Sequence, residues 1–94
     1  MTAAAAKEQL DILLNMSVQT GYTISALLKQ DTTLQGKSAY YISYTETDVK
    51  NNYKNIVFNA FVIKDKTVIL FVSGDLDNGK YIEPFKKTFY SIKL

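Results

Sequence analysis

Residues 56–73 hold two apolar runs, IVFNAFVI and VILFVS, separated by the polar tetrapeptide Lys64-Asp65-Lys66-Thr67. Runs this close together and this rich in Val, Ile and Phe read as a β-hairpin. In both runs the even and the odd positions are mostly apolar, so neither face of the hairpin is patterned for water. Any fold built on it must cover both sides, with the chain's own helices, a second copy or a partner.

The two ends of the chain offer that cover. Thr2 is a candidate cap for a helix over about residues 3–16, in which Leu10, Leu13 and Leu14 fall on one side and Ala3 and Ala6 extend the stripe. Ile12 lies off that stripe. Near the other end, Tyr81, Ile82, Phe85, Phe89 and Ile92 share a broad face over about residues 79–90, with Lys80, Glu83, Lys86 and Lys87 largely outside it. Pro84 costs about 3 kcal/mol in a helix interior, so either the helix starts nearer Ile82 or the proline sits in its first turn. Asp75 or Asp77, in the loop before it, is a candidate cap.

Between the helices, Tyr22, Ile24, Ala26 and Leu28 alternate with polar residues as a strand does, weakened by Leu27. Asp31 to Lys37 is turn chemistry, with Gly36 free to take positive φ. A strand at about 38–45 points Tyr40, Ile42 and Tyr44 one way and Ala39, Tyr41 and Ser43 the other. Thr47 to Asn55 reads as the longest loop or an extended hairpin tip. The sum is a single α+β domain over residues 1–94: an N-terminal helix, a four-stranded antiparallel meander and a C-terminal helix.

Composition narrows the chemistry. The chain has no Cys and no His, which removes disulfides, thiol catalysis, the usual zinc sites and the commonest general base. It also lacks Arg, so no planar fork is present for phosphate or guanine. Eleven Lys face nine carboxylates for a net charge of +2, too mild to imply nucleic acid or an anionic membrane. The N-terminus is interrupted by Lys7, Glu8, Gln9 and Asp11 and has no leader pattern, and no run approaches the roughly 18 apolar residues of a membrane span. The chain reads as soluble; removal of a leader is left open.

Three local patterns invite specific chemistry. Asp75-Leu76-Asp77-Asn78-Gly79 resembles a calcium loop, but counting from Asp75 puts Gly79 and Lys86 where such a loop needs an oxygen ligand and a bidentate Glu. The preferred reading is a capped loop. Lys37 with Tyr41, Ile42 and Tyr44 partly matches the aromatic strand of RNA-recognition domains, yet Ser38, Ala39 and Tyr40 do not fit, and packing of the pleat is preferred. Among the carboxylates, Glu46 and Asp48 belong at a loop edge, Asp65 in a turn and Glu83 on a helix surface, so each reads as solvated. Ser38 beside Lys37, and Ser73 and Lys80 flanking one loop, are Ser-Lys pairs by type only. No metal or cofactor is expected, and neither is an enzyme.

Gly36 with Ala39-Tyr40 before a strand, the hairpin ending in Val68-Ile69-Leu70-Phe71, and Tyr81-Ile82-Glu83-Pro84-Phe85 leading through Phe89 to Leu94 together resemble the PsbP-like fold family of PsbP/DcrB-type accessory proteins. The resemblance covers about the last sixty residues. It implies a non-catalytic, often exported or periplasmic module, with helices able to cover both sides of the sheet and a proline tolerated in the last helix. The metal-binding His residues of that family have no counterpart, so no site carries over. Without the resemblance the compartment is unknown, with cytoplasmic the default.

The expected function is thus protein interaction or accessory assembly. Tyr40, Tyr41, Tyr44 and Tyr53 are the candidate partner-binding residues, because Tyr joins apolar area to a polar tip; packing is the competing role of the first three. The alternatives are a small-molecule-binding domain or small enzyme using a Tyr-lined sheet face, and self-association through the sheet.

Overall fold

In the computed structural model, which describes residues 2–94, Thr2 caps the first helix as its sequence position implies: its Oγ1 accepts the Ala5 N–H at 3.1 Å. Helix α1 runs Ala3–Thr20, a turn longer than the apolar stripe alone requires. It stops at Gly21, whose φ of 99° lets the Gly21 and Tyr22 amides fold back onto the Val18 and Ser17 carbonyls.

Strands β1 (Thr23–Leu34), β2 (Lys37–Asp48), β3 (Tyr53–Lys64) and β4 (Thr67–Asp75) follow, all antiparallel in the order β1-β2-β3-β4. Three corrections to the sequence reading arise here. Asp31, Thr32 and Thr33 are strand, paired with Tyr40, Ala39 and Ser38, and only Gln35 and Gly36 turn, at φ 52° and 76°. Polar, β-branched Thr suits an edge strand as well as a loop does. The polar segment Thr47 to Asn55 is the extended hairpin tip of its two readings, with residues 49–52 as the turn, but β4 continues through Gly74 to Asp75, where the sequence reads as loop. Finally, β1 slips register by one residue between Ser25 and Leu28, where Ala26 sits at φ 53°. This bulge puts Ile24 and Leu28 on opposite faces of the sheet, against their simple alternation in sequence.

The helices lie on opposite faces. Under α1, Ala6 and Leu10, with Leu13 and Leu14, pack on Tyr40, Ile42, Tyr44, Val57 and Phe61. On the other face, α2 (Ile82–Tyr90) sets Phe89, with Ile82 and Phe85, on Ala39, Phe58, Ala60 and Val62, and the tail adds Ile92 and Leu94. Phe89 is fully buried and meets Phe58 and Phe71 at ring centroids 6.0 Å apart; such burial contributes about 1.5–3 kcal/mol. The two apolar faces of β3 therefore have one helix each.

The last helix starts at Ile82, which places Pro84 in its first turn, where no intrahelical amide is required of it. Among the described residues no side chain caps this helix. The Asp75 carboxylate instead accepts the Asp77 and Tyr81 amides at 2.7 and 2.6 Å, ordering the loop that leads into it. Asp75, a candidate cap from its position in the sequence, thus orders the loop without capping the helix itself.

Candidate functional site: the groove between α1 and β4

Cover on the α1 face is incomplete. Ion pairs Lys7–Asp31 (2.9 Å) and Lys29–Asp11 (3.0 Å) tie α1 to the β1 side of the sheet. The β4 side is left open. Leu70 and Val72 project onto this face, in register with Phe61 and Asn59, and are 49% and 63% exposed. Met16, three residues beyond Leu13 on α1, is 56% exposed. Between helix and strand lies a groove of about 260 Å³, walled by Leu13, Ser17 and Val72 and floored by Tyr44, Glu46, Val57 and Asn59.

Glu46 is the main polar feature of that floor. Sequence reading placed it on a solvated loop edge, but it is only 7% exposed. The reason is parity: β2 runs three residues further than expected, and Glu46 continues the inward series Tyr40, Ile42, Tyr44. Its carboxylate accepts three donors: Ser17 Oγ from α1 on one oxygen, and Tyr53 Oη (3.0 Å) and Asn55 Nδ2 (2.9 Å) on the other. Among the described residues no Lys pairs with it. Three neutral donors are the way a sheltered carboxylate is held without a cation.

Asn55 Oδ1 is buried with no hydrogen-bond partner among the described residues, and it faces Gly74: a Cβ built there would come within 2.9 Å of it. The absent side chain at Gly74 is thus what lets Asn55 reach Glu46. Asn59, 2% exposed, accepts the Ser73 amide at 3.2 Å, and Ser73 Oγ donates to the Phe58 carbonyl. Burial raises the pKa of Tyr44, with the Ser17 hydroxyl pulling the other way. Burial likewise raises that of Tyr53, assisted by its bond to Glu46.

The four tyrosines singled out by sequence do not form one surface. Tyr40 and Tyr44 are buried under α1, Tyr40 against Phe61 at 5.6 Å and under Lys7 at 4.9 Å. Tyr41 lies on the opposite face, half-buried against Phe58 and Lys86. Tyr53 stacks on Tyr22 at 4.9 Å at the end of the sheet and supports Glu46. The exposure of Leu70 and Val72 has no signal in the sequence, since they belong to a run that reads as wholly buried; α1, tied to the β1 side, leaves them uncovered.

The site is therefore an open, half-apolar groove on a two-faced α+β sheet domain. No family model matches the chain, and no curated protein matches it. Among solved structures it is similar to PA94, a protein of unknown function from Pseudomonas aeruginosa, with a TM-score of 0.63 at 11% identity over 94% of this chain. The chain spans 61% of PA94, and the likeness is one of fold. No helix among the described residues is long and apolar enough to cross a membrane.

Proposed function

We propose that this chain is a non-catalytic protein-interaction or assembly-accessory module whose contact surface is the open β4 half of the α1 face. The carrying observation is the exposure of two apolar neighbours on one face of β4, Val72 at 63% in the groove wall and Leu70 at 49% beside it. Clustered apolar side chains of this kind mark interaction sites, whereas scattered ones carry no meaning. The PsbP-like resemblance implies the same kind of role. Glu46, fully engaged by Ser17, Tyr53 and Asn55, serves here to anchor α1 to the sheet and so to fix the groove wall.

A small-molecule site is the second reading, favoured by the groove itself. Its 260 Å³ falls below the roughly 300–1,000 Å³ of drug-sized pockets, and its open side gives a small ligand little enclosure. Protein contact is the better fit. Affinity capture from extract tests it with the wild-type chain, Val72→Lys, and Val49→Lys as a control at an exposed turn. The proposal expects Val72→Lys alone to lose the captured partner, roughly tenfold or more. Equal capture by all three overturns it.

A further inference from the structure

The two edges of the sheet are built differently. β1 carries devices that discourage strand addition: a bulge at Ala26, and Lys29 and Asp31 paired to the overlying helix. β4 carries none. From Thr67 to Gly74 it has no charge, no proline and no register slip, and alternate residues turn their amides and carbonyls away from β3 into solvent. An uncharged, β-prone, open edge is a template for another strand.

The sequence of that edge identifies the strand. Thr67-Val68-Ile69-Leu70-Phe71-Val72-Ser73 reads nearly the same in both directions about Leu70. In an antiparallel two-fold pairing, Thr67 meets Ser73, Val68 meets Val72, Ile69 meets Phe71 and Leu70 meets Leu70. Every apolar residue faces an apolar one, the hydroxyls face each other, and no charge is opposed over the seven residues. Neighbouring registers break this match; moving the centre to Phe71, for example, sets Val68 against Gly74 and Ile69 against Ser73. The outward-facing backbone of Val68, Leu70 and Val72 is also in phase for it, since a two-fold axis at Leu70 brings these groups face to face.

We infer that β4 pairs with β4 of a second copy of this chain, joining two meanders into one eight-stranded sheet with the axis at Leu70. This rests on reading the open β4 side as a contact surface: the pairing fills its edge and doubles the apolar face beside it. The two α1 helices then flank a single apolar trough floored by Leu70 and Val72 of both copies. The modest charge of +2 per chain lets two copies approach.

Sedimentation velocity over a range of concentrations, with the full chain, tests the pairing. The wild type should move from the 10.6 kDa monomer to twice that mass as concentration rises. Leu70→Lys, which places two ammonium groups opposite each other at the axis, should weaken association roughly a hundredfold or more. Leu70 is half exposed, and a circular dichroism spectrum matching the wild type shows that the variant is folded. The register is read with a short thiol-reactive crosslinker, since the chain has no cysteine of its own. Leu70→Cys should crosslink to itself, and Thr67→Cys, whose two copies lie six residues apart along the strands, should not. A wild type that stays monomeric at every concentration overturns the pairing, and so does crosslinking of Thr67→Cys in preference to Leu70→Cys. Neither result bears on the Val72→Lys capture comparison, which decides the broader reading by itself.

Discussion

Replacing Glu46 with alanine removes the acceptor shared by Ser17, Tyr53 and Asn55. Hydrogen bonds to a charged group contribute about 1.5–3 kcal/mol each, but the three losses do not add. Ser17 lines the open groove and Tyr53 is only partly buried, so both hydroxyls can turn to water. Asn55 cannot recover as easily, because its Oδ1 already lacks a partner among the described residues and its amide is packed against Gly74. We therefore expect Glu46→Ala to cost about 3 kcal/mol, one bond to charge lost in full and two lost in part. Glu46→Gln keeps one acceptor oxygen and lets the Ser17 hydroxyl accept from the new amide, so its cost should be about 1 kcal/mol. In a domain of this size these correspond to Tm shifts of roughly 12–24 °C and 4–8 °C. Thermal melts followed by circular dichroism at neutral pH measure both. A Glu46→Ala melt within a degree or two of the wild type would show that the carboxylate is solvated and anchors nothing.

Ala26→Gly should stabilise the chain by about 0.5–1 kcal/mol, because an alanine at φ 53° gives up roughly 1–2 kcal/mol that glycine does not, less the entropy of the added glycine; a urea midpoint below that of the wild type contradicts the bulge geometry. Gly74→Ala drives a Cβ into the Asn55 carboxamide and should destabilise by about 1–3 kcal/mol, with an unchanged midpoint counting against the Asn55–Glu46 link. Burial raises the pKa of Tyr40, Tyr44 and Tyr53 above their ordinary 10.0. The unfolded chain then releases these protons first, so their contribution is intact below pH about 10 and is lost as pH rises through the folded values. Urea titrations on either side of that value should show the fall, and Tyr44→Phe should reduce it.

Much of the architecture is legible in short-range pattern. The Thr2 cap, the β-hairpin with apolar residues on both faces, the inward set Tyr40, Ile42 and Tyr44, and the aromatic face of the last helix all follow from periodicity. What escapes is what pairing decides. Asp31 to Thr33 look like a turn until β2 offers them partners. The bulge at Ala26 reverses the face of Leu28, and no composition rule announces it. Glu46 is legible by parity, since extending the β2 alternation by two residues places it inward, although its polar neighbours Thr45, Thr47 and Asp48 read as a loop. The exposure of Leu70 and Val72 is a matter of how α1 lies across the sheet, a tertiary fact that β4 by itself does not encode. The tyrosines drew notice for their chemistry, yet parity sends them to two faces.

The proposed pairing fills the open edge of β4 with a second chain. Amide hydrogen exchange along residues 67–73 tests this residue by residue. In dilute Leu70→Lys, the amides of Ile69, Phe71 and Ser73, which point to β3, should exchange slowly while those of Val68 and Val72 exchange fast. In concentrated wild-type protein, Val68, Leu70 and Val72 should slow to match their neighbours. Protection that is uniform along β4 in the dilute variant, or fast exchange at Val68, Leu70 and Val72 in the concentrated wild type, would contradict the account.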